Sequence, residues 1–97
     1  MCSTTKKPSY FVILEDLESA MIKAQQASAE GREDAKVNSF TTFSAYCSSL
    51  ERFEDIPAEN RQIIVEKLEN MLTVLQREAG YGNFQQKLRT LISNMKS

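Results

Sequence analysis

Proline and glycine punctuate this chain at positions 8, 31, 57, 80 and 82 and leave four longer stretches between them. Within each stretch the apolar residues recur at three- and four-residue steps, and none alternates with period two for long enough to make a strand. That pattern predicts an all-α fold, a small four-helix bundle with helices over about 9–28, 34–53, 57–79 and 84–95. Residues 1–8 read as a flexible N-terminal tail and 9–97 as a single helical domain. A chain of 97 residues can bury one modest core and not two.

In the first helix, Tyr10, Ile13, Leu14, Leu17, Ala20, Met21, Ala24 and Ala27 share a face that begins with large residues and ends in alanine. Ser9 is the expected N-cap, since its hydroxyl can accept from free backbone N–H groups. Phe11 and Ile22 fall off that stripe, beside Glu15 and Glu18. The segment 29–33 reads as a turn, with Gly31 the one residue that opposes helix.

The second helix carries Phe40, Phe43, Tyr46, Cys47, Leu50 and Phe53 on one arc and serines and threonines on the other. Such polar residues are weak helix formers, so tertiary packing has to hold this helix. The third helix has Asp55 as its expected cap and Pro57 in its first turn. Ile64, Val65, Leu68, Met71, Leu72, Leu75 and Ala79 form its main face, and Ile63 with Val74 widen it beyond what one neighbour covers. This breadth predicts a central helix packed on two or more partners, ended by Gly80. The fourth helix opens on the N-x-x-Q capping box of Asn83 and Gln86, and presents Phe84, Leu88, Leu91, Ile92 and Met95. Its short connection to the third predicts an antiparallel hairpin.

The chemistry available is sparse. With no histidine and two distant thiols, Cys2 and Cys47, the chain has no imidazole base, no Cys–His pair and no His/Cys metal set. No catalytic, cofactor-binding or metal-ligating residue is expected, and the protein reads as a non-enzyme without cofactor. Gly80–Tyr81–Gly82–Asn83 lacks the remaining residues of a phosphate loop and reads as a helix end meeting a helix start. Tyr81 then plugs the space between the two ends. The thiols suit a reduced, cytoplasmic chain in which Cys47 packs as a small hydrophobe. No apolar run reaches transmembrane length, and the net charge of −1 gives no general attraction for anionic surfaces.

What the residues favour is protein contact. Phe11, Ile22, Ile63 and Val74 are apolar edges in excess of one stripe per helix. The aromatic run Phe40, Phe43, Tyr46 and Phe53 is a second candidate surface, since aromatic residues are enriched at interfaces. The expected role is a small adaptor, chaperone-like or regulatory protein that shows an apolar helical face to another protein, or to itself as a homodimer. A rival reading uses Lys87, Arg89 and Lys96 of the last helix to contact nucleic acid. Three dispersed cations are thin for that, and nucleic acid is the less favoured partner.

Overall fold

A computed structural model describes residues 8–96; the N-terminal segment with Cys2 lies outside the described residues. Among these residues there are four helices and no strand: α1 Ser9–Ala29, α2 Glu33–Glu51, α3 Ala58–Gln76 and α4 Gly82–Lys96. The all-α four-helix bundle expected from periodicity is therefore the fold.

Helix ends depart from the sequence reading where backbone carbonyls replace side-chain caps. At the start of α1 the Pro8 carbonyl accepts from the N–H groups of Phe11 and Val12, at 3.0 and 3.3 Å. Ser9 is thus already helical, and no side chain caps this end. Pro57 plays the same part for α3, accepting from the Arg61 N–H at 2.8 Å, so Asp55 is not a cap. Tyr81 does so for α4, accepting from the Gln85 N–H at 2.9 Å. Asn83 therefore lies inside the first turn, and the expected capping box does not form. Its neighbour Gln85 instead donates from Nε2 to the Leu75 carbonyl at 3.2 Å, satisfying an acceptor at the end of α3.

The turn between α1 and α2 is a Schellman motif. The Arg32 N–H donates to the Ala27 carbonyl at 2.8 Å and the Gly31 N–H to that of Ser28 at 3.1 Å. Gly31 has φ +73°, and a methyl group added there would meet no atom within 4 Å. Replacing Gly31 by alanine therefore costs backbone strain alone, about 1 kcal/mol. A urea melt of Gly31→Ala should show that loss with the helix content unchanged. A variant as stable as the parent would mean that the turn does not need its left-handed residue.

α2 stops at Glu51, two residues short of the expected end, and α3 stops at Gln76, three short. Both early stops let a side chain drop inward. The link 52–57 buries Ile56 at 5% exposure and turns Phe53 against Tyr10, ring centroids 5.6 Å apart. The link 77–81 uses Gly80 at φ +91° to tuck Tyr81 into the core at 3% exposure, under the Lys36 ammonium 4.4 Å from its ring centroid. Tyr81 thus fills the place expected of it, whereas Ile56 had no periodic neighbour to mark it as core.

Around the bundle the order is α1, α2, α4, α3. The closest approach is α1 on α2, followed by α3 on α4 and α2 on α4, with α1 and α3 only sparsely in backbone contact. Buried Ala20, Ala24 and Ala27 suit the close α1–α2 approach. α2 and α3, although consecutive, lie across the diagonal. Hydroxyls of the Ser/Thr-rich α2 fold back on their own helix, as Thr41 and Thr42 donate to the carbonyls of Val37 and Asn38.

This order corrects the expectation that α3 is central. α2 and α4 each have two close neighbours, while α3 has one, α4. Most of its expected face is buried, with Leu68 and Leu75 fully enclosed and Met71 nearly so, but Leu72 is half-buried and Ala79, beyond the end of the helix, is exposed. The extra breadth of its apolar arc has another destination. Ile63 and Val74 point outward, at 53% and 39% exposure.

Candidate protein-interaction face

The α1–α3 seam differs from the other three. Polar pairs tie the two helices side by side. Asn60 Nδ2 donates to the Tyr10 hydroxyl at 2.9 Å, Lys67 Nζ meets Glu18 Oε1 at 3.1 Å, and Gln25 Nε2 donates to Glu78 Oε1 at 2.8 Å. In the first two pairs the α3 residue lies about 50 positions after its α1 partner, and Glu78, in the link just past α3, continues the order, so the helices run parallel. Long side chains span a gap that the backbones do not close. A cleft of about 160 Å³ lies between them, lined by Glu18, Met21, Lys67, Asn70, Met71 and Val74.

On α1 the residues Phe11, Glu15, Glu18 and Ile22 follow steps of four, three and four. On α3 the residues Ile63, Lys67, Asn70 and Val74 follow the same steps. At 100° per residue each set forms one narrow stripe along its helix. Because Glu18 and Lys67 bridge the seam, the two stripes border it on the same side. The four apolar residues that exceeded their helices' main stripes in sequence are thus gathered on one face. Phe11 is half-buried and packed on the core, and Ile22 is 44% exposed.

Each stripe has the same layering, apolar at both ends and polar between. The Glu18 and Lys67 side chains are themselves 36% and 42% exposed. As an exposed pair the bridge adds little to stability. The sequence places Glu18 beside Phe11 and Ile22, off the main stripe of α1. The matching four-three-four steps on α1 and α3 were the available signal, and only the helix register shows that the two rows lie side by side.

The aromatic run of α2 is placed differently. Phe43 is fully buried and belongs to the core. Phe40 is half-buried with its ring edge-on to Phe84 at 4.9 Å, and Phe53 is half-buried against Tyr10. Tyr46 is half-buried and borders a shallow polar cleft with Asp16, Ser19, Lys23 and Thr42. These four side chains pack on or within the core, so α2 offers no continuous apolar surface. Val12 and Val37 are also exposed, but both lie off the α1 and α3 stripes.

The cations of α4 are scattered. Lys96 Nζ meets Glu69 Oε2 at 3.0 Å, and Arg89 Nη2 donates to Gln85 Oε1 at 3.4 Å. Lys87 borders a separate cleft between α2 and α4, together with Glu51 and Cys47. The Cys47 thiol is buried, and burial, reinforced by the nearby Glu51 carboxylate and opposed by Lys87, pushes its pKa up to about 12. A thiol in that state is a poor nucleophile at neutral pH. Among the described residues no three His, Cys, Asp or Glu side chains converge as metal ligands, and no helix is long and apolar enough to cross a membrane.

Comparison with known proteins adds no relative: no family model, no curated protein and no solved structure matches this chain.

Proposed function

We propose that this protein is a small, non-catalytic protein-interaction module that works through the α1–α3 face. The reading is carried by the placement of Ile22, Ile63 and Val74, each more than a third exposed, along the stripes that border the least closed seam in the bundle. Single exposed apolar residues are ordinary on a protein surface, whereas a gathered set flanked by polar groups has the make-up of a contact surface. The low reactivity expected of Cys47 supports a role in binding rather than chemistry. A reducing, cytoplasmic setting suits a chain with this thiol usage.

The reading is tested by comparing two exposed positions. A photo-crosslinking amino acid placed at Ile63 should form protein adducts in the native lysate. The same group at Val37, which is exposed on α2 and away from this face, should form few. Equal yields at the two positions would show that the α1–α3 face is not a preferred contact surface.

A further inference from the structure

We propose that the occupant of the α1–α3 face is the same face of a second copy of this chain, related by a two-fold axis running along the helices. This rests on the preceding reading of the face as a protein-contact surface and commits it to one partner. In a two-fold contact the same surface meets itself, so the surface must be complementary to itself. Two face-to-face arrangements are open to a pair of parallel helices. If the axis crosses the helices at the height of the Glu18–Lys67 bridge, α1 lies over the α1 of the other copy, Glu18 faces the partner subunit's Glu18, and Lys67 faces the partner subunit's Lys67. That arrangement stacks like charges at the middle of the contact.

If the axis runs along the helices, α1 lies over the partner's α3, and the shared register does the rest. Glu18 and Lys67 sit at the same height, as their 3.1 Å bridge shows. Each Glu18 then meets both its own Lys67 and the partner subunit's Lys67, giving a ring of two carboxylates and two ammonium groups with no net charge. A carboxylate has two oxygens and an ammonium three N–H donors, so neither has to release its present partner. The incomplete burial of both side chains leaves them open to the second contact. Ile63 and Ile22 lie about one turn from this ring and Phe11 and Val74 about two turns, so Phe11 flanks the partner's Ile63 on one side of it and Val74 flanks the partner's Ile22 on the other. The contact is layered apolar, charged, apolar, and opposite charges set its direction.

The exposed apolar area is small, so the dimer belongs to the weak end of the range. Sedimentation velocity on the whole chain, up to about 300 µM, reads it directly. The parent chain should shift toward dimer with concentration. Ile63→Glu, a change at an exposed position, should remain monomeric with its helical circular dichroism intact. Glu18→Lys makes the ring all cationic and Lys67→Glu makes it all anionic, so each should dimerise at least roughly tenfold more weakly. An equal mixture of these two variants should recover the parent's affinity as a heterodimer, because their charges then alternate across the contact.

A parent chain that stays monomeric throughout overturns this proposal. In that case, adducts at Ile63 to other proteins would keep the broader contact reading, and equal adducts at Ile63 and Val37 would end both. A dimer indifferent to Ile63→Glu places the contact elsewhere and overturns it too. A dimer sensitive to Ile63→Glu but not recovered in the mixture overturns the axis along the helices.

Discussion

Phe84→Ala should destabilise this protein by about 3–5 kcal/mol, a large part of the whole for a domain of this size. Phe84 is the one aromatic of α4 and is 3% exposed. Its ring lies edge-on to three others, Phe40 at 4.9 Å, Phe43 at 5.0 Å and Tyr81 at 5.5 Å. These come from α2 and from the turn between α3 and α4, so one side chain joins both hairpins of the bundle. Truncation removes the ring and leaves a cavity that helices fixed on several sides cannot close. Urea unfolding followed by circular dichroism measures the loss. Phe40→Ala is the comparison, since Phe40 is already half in water and should cost less. A loss below about 1 kcal/mol for Phe84→Ala would show that the aromatic cluster does not hold the hairpins together.

The second large effect concerns Cys47. Its pKa is raised in the folded protein from the ordinary 9.0 to about 12, chiefly by burial. A raised folded-state value means that the folded chain keeps this proton when the unfolded chain has lost it. The stabilisation is fully present below pH 9.0 and is lost as the pH rises from there through about 12. Three pH units correspond to at most about 4 kcal/mol. Stability measured against pH should therefore fall more steeply for the parent than for Cys47→Ala across that window. The cavity left by the substitution shifts the alanine curve by a constant amount and leaves its slope alone. The same shift should slow native alkylation at pH 8 by roughly a thousandfold relative to the urea-unfolded chain, followed on the peptide that contains Cys47. Parallel pH curves and fast native labelling would together mean that the thiol is open to water.

Much of the fold is legible in the residues alone because helical burial has a local signature. Leu14, Leu17, Phe43, Leu50, Leu68, Leu75, Leu88 and Leu91 all sit on periodic stripes, and all are buried. Gly31 marks its turn because a left-handed residue is needed there. Cap positions were less legible. Asp55 and Asn83 have suitable side chains, but the carbonyls of Pro57 and Tyr81 accept the first helical hydrogen bonds. Ile56 could not be read as core, since a lone apolar residue in a link has no period to belong to.

The candidate face shows where local pattern ends and tertiary structure takes over. Periodicity determines that Phe11, Ile22, Ile63 and Val74 lie beside their helices' main stripes. It is silent on where each stripe points, because that depends on which helices become neighbours. The broad arc of α3 argued for a central position, yet the link 52–57 carries the chain across the diagonal, and α2 and α4 take the close contacts instead. α1 and α3 are left side by side and parallel, in a register held by Tyr10–Asn60 and Glu18–Lys67, with Gln25 reaching Glu78 in the link just past α3. The sequence by itself determined four helices, their turns and most of their core, since these follow from spacing within single segments. Only the tertiary structure decided that two rows of residues about 50 positions apart form one surface, because that requires the path of the chain between them.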